Sequence, residues 1–241
     1  MSNSRILCVY PIDGNIAFLR KLSRTLRSTF GPVLTDLKLS NNYGSHQKAL
    51  NEIKASTEND LICLFCHGRS TGLLGCSYKA NHPDDSRNRF VYSEKYGNFL
   101  DVNHSNLFIN KKIFCLACDS AIWGKRIIDA GAKVFLGFSN VNFDTRLFLE
   151  KNVQRQSVER IVKFELRKAV FYALNQAVEK SLTFSQLSYL LKICLDKSSD
   201  ALIRNYRGEK GYKFYLAAAE CLQEIKFGVK IFGDGNVPVF Q

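Results

Sequence analysis

The chain has 241 residues, of which 46% are hydrophobic and 23% are charged, and it carries a formal net charge of +12 at pH 7. This composition is ordinary for a globular protein and excludes a disordered chain, a collagen-like repeat and a coiled coil. Its eight cysteines are too few for a small scaffold held together by disulfides. The length suits one α/β domain with its own core, so we predict a single domain over residues 1–241.

The N-terminal segment has a short apolar run without a cleavage signal, which is not the pattern of a signal peptide. No window reaches the unbroken apolar length that a transmembrane helix needs. We therefore expect a cytoplasmic protein without a membrane partner, whose cysteines are thiols rather than crosslinks.

Short apolar runs alternate with helical patterns over the first 140 residues. Strands are predicted at 5–10, 33–39, 60–66, 112–117 and 133–138, and helices around 16–30, 46–55 and 121–130. The run 60–66 is apolar on both faces, as in the central strands of a parallel sheet. Repeated β–α–β order implies right-handed crossovers with helices on both sheet faces. The predicted fold class is therefore α/β, a three-layer sandwich with a mostly parallel central sheet.

The pattern after residue 149 is mainly helical. Apolar residues trace one long amphipathic helix over 158–177. Thr183 and Gln186 have the spacing of a capping box that opens a second helix. A third helix over 212–226 leads into a last strand at 229–232.

Two of the buried strands end in reactive side chains. The first breaks at His67-Gly68, and the second ends at Cys118. Reactive groups gather beyond the carboxyl ends of strands in an open parallel sheet, so neighbouring strands would bring His67 and Cys118 to one cleft. A thiol attacks carbonyls as the thiolate, and a nearby imidazole serves as its base and later protonates the leaving amine. We also expect the following helix N-terminus to favour a thiolate at Cys118.

The sequence here resembles the caspase-like cysteine peptidases of clan CD, especially their bacterial CHAT-domain branch. His-Gly follows one hydrophobic strand, and Ala117-Cys118-Asp119-Ser120 follows the next, 51 residues after His67, close to the caspase spacing of about 50. The segments 129–137 and 231–239 also resemble parts of these domains. Two positions depart from the pattern, namely Leu116 where animal caspases have Gln and Gly235 where a Pro is expected. The first departure argues against an animal-type caspase.

The resemblance implies a cysteine endopeptidase with a His-Cys dyad. By that resemblance His67 is the general base, Cys118 is the nucleophile, and the amides of Gly68 and Cys118 form the oxyanion hole. CHAT relatives commonly act in bacterial defence or programmed cell death, where a sensor switches on cleavage of a partner protein. Because the peptidase domain accounts for nearly the whole chain, the expected partners are a protein substrate and a separate sensor or activator chain.

A zinc site is the main alternative use of the cysteines. Cys63 and Cys66 form one CxxC pair, and Cys115 and Cys118 form another, with His67 adjacent. Residues three apart on a strand point to opposite faces, however, and a zinc knuckle needs a tight turn between its cysteines. We therefore expect no metal and no other cofactor. The remaining cysteines are interpreted as bystanders, with Cys8, Cys63, Cys66, Cys115, Cys194 and Cys221 in the core.

The positive charge has a local focus at Arg20, Lys21, Arg24 and Arg27, on one predicted helix. A second basic set over 155–168 is interleaved with glutamates. No nucleic-acid recognition motif accompanies either set, so we interpret them as solvated surface and do not expect nucleic acid as a direct ligand. The alternative to the peptidase is a catalytically silent caspase-like module that binds protein or nucleic acid through this surface.

Further polar residues lie near the expected cleft. Asp119 and Asp144 are candidates for a specificity pocket, but each is more simply explained as a cap or turn residue. The polar stretch 76–97, which contains His82, is interpreted as a surface loop between the two dyad strands.

Overall fold

The computed structural model describes residues 4–12, 17–40, 42–69, 72–76, 99–139, 141 and 155–241. The strands in these ranges are β1 (Ile6–Pro11), β2 (Leu34–Leu39), β3 (Leu61–Phe65), β4 (His67–Arg69), β5 (Gly72–Leu74), β6 (Leu100–Asp101), β7 (Lys112–Leu116), β8 (Val134–Phe138) and β9 (Val229–Gly233). The α-helices are α1 (Ala17–Phe30), α2 (Tyr43–Ala55), α3 (Ser120–Asp129), α4 (Arg155–Glu179), α5 (Phe184–Asn205) and α6 (Tyr212–Gly228). Two 3₁₀ segments cover Gly31–Val33 and Val102–Phe108.

Six of these strands form a central sheet in the order β2-β1-β3-β7-β8-β9. Every neighbouring pair is parallel except β8 and β9, so the C-terminal strand is an antiparallel edge. The crossovers from β1 to β2, from β2 to β3 and from β7 to β8 contain α1, α2 and α3, respectively. The connection from β3 to β7 instead contains β4, β5, β6 and the second 3₁₀ segment. The predicted α/β fold with a mostly parallel sheet is therefore confirmed.

Helices cover both faces of the sheet and bury two separate cores. One core joins the sheet to α1, α4, α5 and α6, and it includes Cys63 and Phe65 of β3. The other joins the sheet to α2 and α3, and it includes Ile62 and Leu64 of the same strand. This alternation follows from the period of two along a strand, with both faces apolar because both are covered.

Local sequence signals fix several helix ends. Thr183 accepts from the Gln186 amide at 3.3 Å while the Gln186 side chain accepts from the Thr183 amide at 2.9 Å, which confirms the capping box. Asn42 caps α2 by accepting from the Ser45 amide at 2.8 Å. None of the helices in the described ranges combines the length and the apolar character needed to cross a bilayer.

A second, antiparallel sheet lies beyond the end of β3 and was not predicted. Its order is β4-β5-β6, with His67 opposite Leu74 and Gly72 opposite Asp101. These strands have only two or three residues, too few to show an alternating pattern. Of the predicted surface loop at 76–97, only Cys76 is within the described residues.

Candidate active site

The sheet register brings the two reactive strand ends together. β3 and β7 are parallel neighbours, paired from Leu61 opposite Lys112 to Phe65 opposite Leu116. His67 and Cys118 each come two residues after that last pair. The two strands are therefore adjacent in the sheet, which is the condition for His67 and Cys118 to share one cleft.

The two reactive residues are both partly buried at the ends of these strands. Phe65 and Leu116 both belong to the core beneath α1 and α4, and Cys118 packs partly buried against that same core. His67 is also half-buried, and its Nε2 atom is shielded from solvent. Cys118 therefore lies on the α1 and α4 side of the sheet, whereas His67 is already the first residue of β4 in the second sheet.

The backbones of Gly68 and Cys118 approach each other closely at the two strand ends. A Cβ atom added to Gly68 would overlap the carbonyl oxygen of Cys118 and lie 2.8 Å from its carbonyl carbon. It would also come within 3.1 Å of the Ala117 side chain. Only glycine lets the two backbones approach this closely, so the identity of residue 68 fixes the spacing of the site.

Cys118 lies on a sharp turn from strand to helix. Asp119, the next residue, has a left-handed backbone conformation with φ +54°. It immediately precedes α3, but its side chain makes no capping hydrogen bond, contrary to a simple cap interpretation. A non-glycine residue in this region costs free energy, and such residues cluster at functional sites.

Ser120 holds this turn in place, a role that the sequence reasoning did not assign. Its buried hydroxyl accepts from the Phe138 amide at 2.9 Å. The same hydroxyl is within donor distance of the carbonyl oxygens of Ala117 and Cys115, at 2.9 and 3.1 Å. Ser120 thereby links the end of β7 to β8. The Ala-Cys-x-Ser motif is the sequence feature that could have pointed to this structural role.

The electrostatic environment of Cys118 differs from the sequence expectation. Burial raises the pKa of the Cys118 thiol above its ordinary value, and the Asp119 carboxylate raises it further. Backbone hydrogen bonding at Val141 and at Cys118 itself opposes this rise in pKa. The expected stabilisation of a thiolate by the helix N-terminus is therefore outweighed, because burial penalises the charged form.

The other cysteines occupy a range of environments. Cys8, Cys63, Cys66, Cys115 and Cys221 are buried as predicted, whereas Cys194 is only half-buried on α5. Cys63 and Cys118 pack on one face of the sheet, and Cys66 and Cys115 on the other. Each CxxC pair is therefore split across the sheet, and no group of three or more potential metal ligands occurs in the described ranges.

Two further histidines have local structural roles. His104 lies 2.8 Å from Asp101 in a capping box at the second 3₁₀ segment. His46 contacts the carbonyl of Asn42 at 2.9 Å and packs edge-on against Phe99. His82 and Asp144 lie outside the described residues.

Comparison with known proteins adds little to this geometry. No family model and no curated protein matches the chain. Among solved structures, a Staphylococcus aureus protein assigned as a phosphofructokinase aligns over 95% of this chain and 82% of its own. The identity is 10% and the TM-score 0.29, too low for any conclusion about fold or activity.

Proposed function

We propose that the chain is a caspase-like cysteine endopeptidase in which His67 and Cys118 form the catalytic dyad. The observation that carries this proposal is the close approach of Gly68 to the Cys118 backbone at the ends of neighbouring parallel strands. The left-handed turn at Asp119 and its anchoring by Ser120 give further support. The resemblance of both motifs to the CHAT branch supplies the reaction class.

The proposed reaction begins with transfer of the Cys118 thiol proton to the imidazole of His67. The thiolate sulfur attacks the carbonyl carbon of the scissile peptide and forms a tetrahedral intermediate. Its collapse breaks the C–N bond, and the imidazolium gives its proton to the leaving amine. Water, deprotonated by His67, then attacks the thioester, which releases the carboxylate product and restores the Cys118 thiol.

The proposed oxyanion hole consists of the amides of Gly68 and Cys118. Negative charge develops on the substrate carbonyl oxygen in the transition state, and fixed N–H donors stabilise it. Gly68 keeps its own backbone within reach because no side chain separates the strand ends. The raised pKa of Cys118 suits a thiol that stays protonated until His67 removes its proton as the substrate is attacked.

The substrate is proposed to be a partner protein, cleaved in a regulated defence or cell-death response. By resemblance, a separate sensor or activator chain controls the reaction. A protonated resting thiol is compatible with such control, because the enzyme then has little reactivity towards passing carbonyls.

The experiment is active-site labelling with peptidyl chloromethyl ketones that carry different residues next to the ketone. Intact mass and peptide mapping identify which of the eight cysteines is modified. We expect one adduct, at Cys118, that is lost in both Cys118→Ala and His67→Ala. Cys194→Ala is the matched control, because Cys194 is also half-buried, and it should retain the adduct. Equal, slow modification of several cysteines that does not depend on His67 would contradict the proposal.

The raised pKa of Cys118 also favours a second candidate, a catalytically silent module of the same fold. A thiol that is never deprotonated cannot act as a nucleophile. Labelling of Cys118 in the wild type and in His67→Ala distinguishes the two candidates, because only the enzyme loses labelling when the imidazole is removed.

A further inference from the structure

A groove runs between α1 and α4 on the face of the sheet that also carries Cys118. It consists of two adjoining cavities of about 480 and 450 Å³, which share Lys21 and Arg167 as lining residues. We call this surface the basic groove. It forms because α1 and α4 pack against each other, which brings together two segments more than 130 residues apart.

Four cations in the basic groove lack a carboxylate partner within the described ranges. They are Lys21 and Arg24 on α1 and Arg160 and Arg167 on α4. Their spacings of three and seven residues keep each pair on one helix face. Unpaired like charges along one groove repel each other, and an anionic ligand would relieve that repulsion.

The carboxylates at the groove are already neutralised. Glu159 accepts from Arg155 at 2.8 Å and from Lys163 at 3.1 Å. Glu165, which lines neither cavity, contacts the groove residue Lys168 at 3.1 Å and accepts from Ser198 at 2.9 Å. The net charge that the groove presents to a ligand is therefore strongly positive.

Aromatic rings lie among these cations. Phe164 is 49% exposed, with the guanidinium of Arg167 at 5.4 Å and the ammonium of Lys168 at 5.2 Å from its ring centre. Phe18 and Phe171 line the same groove from opposite helices. Cationic grooves with accessible rings are how proteins hold single-stranded nucleic acid, since bases stack on the rings while phosphates meet the cations.

From this combination we infer that the basic groove binds single-stranded nucleic acid. An acidic peptide would satisfy the cations but would leave the exposed Phe164 ring without a stacking partner. One end of the groove, lined by Ala17 and Gln156, lies where α1 and α4 begin. The inference is independent of the proposed peptidase activity.

The test is fluorescence anisotropy with a labelled 20-nucleotide oligo-dT, and with a 20-residue poly-glutamate peptide as competitor. We expect the oligonucleotide to bind, with a slope of log K against log salt of about −3 if the four cations contact phosphates. Arg24→Glu with Arg167→Glu should weaken binding at least tenfold. Phe164→Ala should weaken it about fivefold or more, without changing the salt slope.

The control pair is Lys48→Glu with Lys197→Glu, which makes the same change in net charge at exposed positions on α2 and α5. It should reduce affinity much less than the groove variant. The milder pair Lys21→Gln with Arg160→Gln tests the groove if the reversal variant does not fold. Poly-glutamate that binds as tightly as the oligonucleotide would overturn the inference in favour of an acidic protein partner. Equal effects of the groove and control pairs, or no binding of the oligonucleotide at low salt, would also overturn it.

Discussion

The backbone of Gly68 lies directly against the carbonyl group of Cys118, at the point where β3 and β7 leave the central sheet. The contact leaves no room for a Cβ atom, so the two strand ends are held at a separation that only glycine permits. His67 precedes one partner of this contact, and the strained Asp119 follows the other. The contact thus connects the proposed base, the proposed nucleophile and the turn that presents the nucleophile.

Substitution of Gly68 by alanine should push the two strand ends apart. We expect Gly68→Ala to lower the free energy of unfolding by about 1–3 kcal/mol, the usual cost of overpacking. Labelling of Cys118 by a peptidyl ketone should fall at least tenfold. Urea unfolding and intact-mass labelling measure the two effects. Gly44→Ala is the matched control, because Gly44 lies in α2 and an added Cβ would meet only Asn42 Oδ1, at an ordinary contact distance of 3.6 Å; it should not lower stability. Full labelling of Gly68→Ala would show that this contact does not matter to the site.

Neutralising Asp119 should make Cys118 more acidic. The carboxylate raises the pKa of the adjacent thiol, and asparagine tolerates the left-handed backbone equally well. Asp119→Asn should therefore shift the pH profile of Cys118 alkylation by iodoacetamide to lower pH, with severalfold faster reaction at pH 8. Peptide mapping follows Cys118 alone, and Asp200→Asn on α5 is the control. An unchanged profile, or a shift to higher pH, would mean that Asp119 does not act on the thiol.

Loss of the Ser120 hydroxyl should loosen the turn after Cys118. Ser120→Ala leaves the buried amide of Phe138 without its acceptor, which costs about 1–3 kcal/mol in stability. Ketone labelling of Cys118 should fall as well, because the turn loses its link to β8. Ser188→Ala, at another buried serine, should change the labelling little. Normal stability and labelling of Ser120→Ala would show that the Ser120 hydroxyl does not stabilise the turn after Cys118.

Lys112 is buried at the start of β7, and burial with the nearby Lys133 lowers its pKa to about 8. Its ordinary pKa is near 10.5, so at pH 7 the fold holds a charge that the unfolded chain accommodates better. The buried charge lowers the free energy of unfolding by its full amount below pH 8, and this loss disappears as the pH rises through 10.5. Lys112→Met should thus add about 1–3 kcal/mol to the unfolding free energy at pH 7.

The gain from Lys112→Met should shrink at pH 10, where the unfolded chain also begins to lose the proton. Urea unfolding at both values of pH measures this difference, and exposed Lys48→Met on α2 is the control. A gain that is equal at pH 7 and pH 10 would show that the effect comes from packing rather than from the buried charge.

The sequence was sufficient to predict much of the fold and the positions of the two dyad strands along the chain. Strong periodicity and doubly apolar runs such as 60–66 identified the parallel strands, and Thr183 with Gln186 marked a helix start. The adjacency of β3 and β7 entered the sequence reasoning only as a condition for a shared cleft, and the pairing of the two strands meets that condition. These features depend on local patterns and on general topology rules, both of which are visible in one sequence.

Other features depend on contacts between distant segments. β4, β5 and β6 have two or three residues each and no periodicity, so their pairing could not be read from the sequence. The raised pKa of Cys118 results from burial and from Asp119, and the sequence indicated only the opposing helix N-terminus. The basic groove likewise exists because α1 meets α4, whereas each helix alone has the pattern of a solvated face.

The most direct measurement of the central claim is peptide-bond cleavage itself. A complex library of proteome-derived peptides would be incubated with the wild-type chain and with Cys118→Ala and His67→Ala, and new N-termini would be identified by mass spectrometry. The account predicts a defined set of cleavages by the wild type, with a shared preference beside the scissile bond. Both variants, although folded, should produce none of these. The same cleavages by Cys118→Ala would contradict the assignment of Cys118 as the nucleophile.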